Sequence, residues 1–126
     1  MSRPRRLRHI DGTEAKLRWP KQAVADGDRN AGGWYEIKTG NISISTSHPP
    51  ADQAEYLLHE LMHHIKPPLK HKVIYWLSER MVMWIRANPS LARWIVESAL
   101  KGEYHPRKEN AHVDIRKTHR KPSVER

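Results

Sequence analysis

The run His59-Glu60-Leu61-Met62-His63 places two imidazoles four residues apart, with a carboxylate directly after the first. On a helix, residues four apart stand one turn above each other, so both imidazoles can bind one ion from the same face. The glutamate between them is then not a ligand. It sits beside the metal-bound water and takes its proton, while zinc lowers the pKa of that water and polarises the carbonyl to be attacked. His59 and His63 are therefore the expected ligands and Glu60 the general base. His64 extends the cluster at a spacing that does not suit His59, and is read as a surface or supporting residue. The chain has no cysteine, which excludes disulfides, thiolate sites and thiol nucleophiles and leaves histidine and carboxylate to hold any metal.

A catalytic zinc takes three protein ligands and keeps one position open for water. Two downstream residues have the right chemistry. Glu79, on the next expected helix, fits a helical hairpin that carries a carboxylate back to the metal. His71, the alternative third ligand, lies nearer the turn and reaches the site if that helix starts late. Tyr56 and Tyr75 are candidate oxyanion donors, set against the commoner role of tyrosine as a packed side chain.

The motif needs a helix, and the surrounding pattern supplies one. After Pro49-Pro50 the apolar period becomes helical from about residue 51 to Lys66, stopped by Pro67-Pro68. Ala54, Leu57, Leu58, Leu61 and Ile65 fall within roughly 100° of arc, with His59 and His63 nearly opposite, so the core is expected on one face and the histidines on the other. A second helix is expected from about Lys70 to Ala87, its main stripe Val73, Ile74, Leu77, Met81, Trp84 and Ile85, with Trp76 and Met83 on a second side. Asn88-Pro89 closes it and opens a third, in which Leu91, Trp94, Ile95 and Leu100 are expected to pack on the others before Gly102.

Upstream, Asp11-Gly12 marks a turn between two short segments that can pair as a hairpin, and residues 20 to 33 read as a loop. Ile42-Ser43-Ile44-Ser45 alternates as a half-buried strand after a Gly40-Asn41 turn. The expected fold class is a small α+β domain: short antiparallel strands followed by about three helices, with the motif on the first long one. It spans residues 1–102, residues 1–8 forming a basic arm and residues 103–126 a basic, disordered tail. No internal repeat is present.

The net charge of +9 suggests nucleic acid until it is located. The two ends account for eight of those nine charges, and residues 9–100 are nearly balanced. With no apolar export or membrane segment, the expectation is a cytoplasmic protein without membrane contact.

Residues 56–64 (Tyr-Leu-Leu-His-Glu-Leu-Met-His-His), Leu77-Ser78-Glu79 and Asn88-Pro89-Ser90-Leu91 resemble the small HExxH metallopeptidase-like proteins often encoded in bacteriophages and prophages, which are broadly similar to the zincin proteases. The likeness covers about residues 32 to 102. It implies a zinc-dependent peptidase fold in which the matching residues are His59, Glu60, His63 and Glu79.

The leading expectation is thus a hydrolase of peptide bonds acting on a peptide or protein, with Ile42 to Ser45 as an edge strand that aligns the substrate. The alternative is a non-catalytic protein stapled by the metal, whose basic tails, Arg116 to Lys121 above all, contact nucleic acid or an acidic partner. The oligomeric state is not encoded in any pattern found here.

Overall fold

The computed structural model describes residues 2–23 and 32–107. Contacts divide the chain into two compact units, Met1–Asn88 and Pro89–Arg126.

The first unit joins a four-stranded sheet to a helical hairpin. Its strands are β1 (Arg6–Arg8), β2 (Glu14–Arg18), β3 (Gly33–Tyr35) and β4 (Ile42–Ile44), ordered β1-β2-β4-β3. The Asp11-Gly12 hairpin forms as expected: β1 pairs antiparallel with β2, and Gly12 takes a φ of 92°, open to glycine at no steric cost. Arg6–Arg8 therefore belongs to the sheet, and the expected basic arm is correspondingly shorter. β2 and β4 run parallel, whereas β3 and β4 form an antiparallel pair around the Gly40 turn, so the sheet is mixed.

That order corrects the expected role of Ile42 to Ser45. β4 is flanked by β2 and β3, so its backbone is taken on both sides and, among the described residues, β1 and β3 are the edge strands. The bonds Glu36 N–H to the Asn41 carbonyl and Ser45 N–H to the Gly32 carbonyl tie β3 to β4. By two-residue alternation the amides and carbonyls of Gly33 and Tyr35 point away from β4 to the open side.

Alternation also fills the core. Leu17, Ile42 and Ile44 are buried on one sheet face, with Leu57 and Leu61 packed against them, each such side chain contributing about 1.5–3 kcal/mol when fully buried. The helix that covers them, α1 (Pro50–Met62), starts with proline in its first turn, where a missing N–H costs nothing. It ends four residues earlier than expected. His63, His64 and Ile65 donate backbone N–H groups to the carbonyls three residues back, which tightens the chain into a turn before the prolines.

α2 (His71–Ala87) buries Ile74 and Ser78, one turn apart on the side that meets α1. The expected six-residue stripe is only partly used: Val73, Trp84 and Ile85 are exposed, as are Trp76 and Met83. Two helices and one sheet face give α2 a single line of burial, whereas the sequence supplies apolar residues for more.

In the second unit, α3 (Pro89–Ala99) carries Leu91, Trp94 and Ile95 along one amphipathic stripe. An amphipathic stripe records a preference for burial and does not specify a partner. The expected tail from residue 108 onward, including Arg116 to Lys121, lies outside the described residues.

Candidate metal centre

His59 and His63 rise from one face of α1, but that face is not open to solvent. His59 is 6% and Glu60 8% exposed, because the sheet and α2 cover α1 from two directions. The expected division into a core side and a histidine side therefore gives way to a helix enclosed on both, with the histidines at the seam.

The third imidazole comes from His71, the first residue of α2. Ligand atoms of His59, His63 and His71 all lie within 4.8 Å of one another, the one such group of three among the described residues. The early end of α1 makes this possible, since the turn from His63 leads directly to the α2 start. Glu79 is placed elsewhere: it is exposed and paired with Arg80 at 2.9 Å. It lies beside the first half of α1, where burial and then the Glu79 charge raise the Glu55 carboxyl. Glu79 stands one turn beyond Tyr75 and about 12 Å along the helix from His71, its direction turned by about 80° from that of His71.

The donor set suits a metal. His59 Nε2 and His63 Nε2 are 3.2 Å apart, and two nitrogens at about 2.0–2.1 Å from a tetrahedral ion stand about 3.3 Å apart. Burial, and then the neighbouring His63 and His71, lower His59 to about 4; burial and His71 also lower His63. Both rings are consequently neutral near pH 7, with lone pairs free for a cation.

Glu60 is the complementary case. Burial alone raises its carboxyl to about 7, the value at which a proton is both taken and returned readily. Its position rests on a missing side chain. A Cβ at Gly33 would stand 3.1 Å from Glu60 Cγ, 3.2 Å from its Oε2 and 2.9 Å from Ile44 Cδ1, and one at Gly32 would meet the Tyr56 ring at 2.4 Å. The glycine pair lets α1 lie against β3.

Together these residues line a cleft of about 500 Å³, with Gly33 and Tyr35 on one wall and His71 and Tyr75 on the other. Tyr75 lies 4.6 Å from the ring centres of both His59 and His71. Tyr56 packs on Gly32, and burial raises its hydroxyl pKa first.

Comparison with protein-family models, curated proteins and solved structures finds no match to this chain.

Sequence reasoning missed Tyr35. Its hydroxyl donates to His64 Nδ1 at 2.6 Å, and His64 Nε2–H donates to Asp11 Oδ2 at 2.7 Å, the acceptance by Asp11 fixing which ring nitrogen is free for tyrosine. Thr13 N–H donates to Asp11 Oδ1 at 2.9 Å and, as the largest cause, holds that carboxyl well below the ordinary range. His9 stacks on His64 at 3.8 Å and donates Nε2–H to the Gly40 carbonyl. His64 thereby ties both hairpin turns to the end of α1. The alternation Gly33-Trp34-Tyr35 was the available signal, since it puts Tyr35 on the glycine face.

Proposed function

We propose that the chain is a zinc-dependent peptidase-like hydrolase whose ligands are His59, His63 and His71 and whose general base is Glu60. The observation that carries this reading is the convergence of three imidazoles, His59 and His63 among them kept neutral by burial, beside a buried carboxylate poised near neutrality. Three nitrogens leave a fourth position of a tetrahedral ion free, the pattern of a catalytic rather than a structural site. A zinc ion held there would activate a water molecule and polarise a substrate carbonyl.

The chain's own groups supply the rest. Glu60 accepts the proton of the attacking water and returns it to the leaving nitrogen. The Gly33 and Tyr35 backbone groups at the free edge of β3 offer hydrogen bonds to an extended peptide, so the substrate adds as a strand alongside the cleft. Tyr75 stands beside two of the ligands, where its hydroxyl can support developing negative charge. The resemblance to HExxH proteins of the zincin kind supports the roles of His59, Glu60 and His63, and His71 takes the place that the resemblance gave to Glu79.

The test begins with zinc stoichiometry on protein purified without a histidine tag, where one ion per chain is expected. Digestion of a mixed peptide library by wild type and Glu60→Gln follows. Cleavage that needs both zinc and Glu60 supports the proposal. A folded chain that binds no divalent metal overturns it, and one zinc without any cleavage reduces the site to a structural staple.

A further inference from the structure

A second cleft, of about 550 Å³, lies between the N-terminal segment and β2. Its charged lining is Arg3, Arg5, Lys16 and Arg18, accompanied by Ser2 and Trp19, and no carboxylate lines it among the described residues. We propose that this cleft binds the phosphate backbone of a short stretch of single-stranded nucleic acid, independently of the metal centre.

The walls are built, which distinguishes them from a loose basic arm. Leu17 N–H donates to the Arg5 carbonyl at 2.9 Å and Trp19 Nε1–H to the Pro4 carbonyl at 2.7 Å. Arg3 lies over the Trp19 ring at 5.4 Å and reaches Gln53 Oε1 at 3.4 Å. The backbone that carries the arginines is thus clipped to the sheet, so less ordering entropy opposes binding.

The cations nevertheless keep their donors available. Arg5 and Lys16 enter no ion pair among the described residues, and Arg18 meets Glu36 only at 3.8 Å, with both side chains largely exposed. Pairs of that kind are worth little, so a phosphate competes easily. On each wall the cations recur every second residue, a strand spacing of about 6.6 Å, of the same order as the separation of phosphates along an extended strand. A membrane surface is disfavoured because Leu17 and Trp19, the large apolar side chains of the lining, already pack in the core.

The experiment uses the full chain and a fluorescein-labelled oligothymidylate, read by anisotropy from low to moderate salt. Wild type should bind with a log–log salt slope of about −3, four contacts at about 0.7 each for a single strand. Arg5→Ala/Lys16→Ala should weaken binding about tenfold or more and lower the slope by about 1.4, while Arg5→Lys/Lys16→Arg retains both. Absence of wild-type binding overturns the proposal. So does an alanine variant that binds as wild type, which assigns binding to basic residues elsewhere. Equal loss in the charge-preserving variant, or co-sedimentation with phosphatidylserine vesicles in preference to the oligonucleotide, overturns it as well. None of these readouts depends on zinc or peptide cleavage.

Discussion

The two clefts of the first unit carry titratable groups in opposite surroundings. At the metal centre, burial sets the chemistry: it lowers His59, leaving it uncharged near neutral pH, and raises Glu60 to about 7, where both protonation states are populated. Around Arg3, Arg5, Lys16 and Arg18 the charged groups stay in contact with water. A desolvated site can move a proton or hold an ion in defined geometry. A solvated one gathers counter-charge from a distance. The difference comes from covering layers, because α1 and α2 close over one cleft and nothing described here closes over the other.

The sharpest way to break that contrast is to remove the buried base. Glu60→Gln should keep one zinc and the fold but lower turnover by about 10²–10⁴-fold, the usual range for a general base, read as initial rates on any peptide the wild type cleaves. Next comes the ligand set. His71→Ala should weaken zinc binding by more than about a hundredfold, exceeding the loss of an outer partner, whereas Glu79→Ala should leave it unchanged; calorimetric titration of both variants decides the third ligand.

Burial also predicts a pH dependence of the metal-free chain. Glu60 titrates near 7 when folded against an ordinary 4.5, so its contribution to stability is fully present below about 4.5 and lost as pH rises through 7. His59 behaves oppositely: folded near 4 against 6.5, its contribution is present above 6.5 and lost as pH falls through 4. The two oppose each other between 4.5 and 6.5, and Glu60 dominates above. Between pH 6 and 8 Glu60 alone loses about 1 kcal/mol while His59 regains a smaller amount, so metal-free wild type should change by less than about 1 kcal/mol and Glu60→Gln should instead gain stability, as urea melts at both pH values would show.

Smaller effects probe the supporting contacts. Gly33→Ala should cost about 1–3 kcal/mol through crowding against Ile44 and Glu60, and should depress turnover more than zinc affinity. Tyr35→Phe removes one hydrogen bond to His64, about 1 kcal/mol, with zinc stoichiometry unchanged; a large loss of zinc would mean that the Asp11-His64-Tyr35 chain orients the ligands directly.

Much of this contrast was legible in the residues. The HExxH spacing, the proline-bounded helices, the Asp11-Gly12 and Gly40-Asn41 turns and the Ile42/Ile44 alternation each depend on neighbours within a few positions, and each is present. The third ligand was not fixed by sequence, because Glu79 and His71 differ only in where α1 stops. Nor was the strand order. Parallel pairing of β2 with β4 joins segments separated by a long loop, and it moves the free edge from Ile42–Ile44 to Gly33–Tyr35. Periodicity likewise marks the Trp94 and Ile95 face of α3 without naming its partner.

One further consequence lies in the order along the chain. His59, His63 and His71 fall within thirteen consecutive residues, and only the short turn between α1 and α2 must close to bring them together, an inexpensive step in loop entropy. Glu60, by contrast, acquires its environment only when β3 docks, a contact with a partner more than twenty residues away. Ion capture and base burial are thus separable events in assembly. Under the proposed function, the hairpin alone would carry all three ligands, while the burial that raises Glu60 would come only with the sheet.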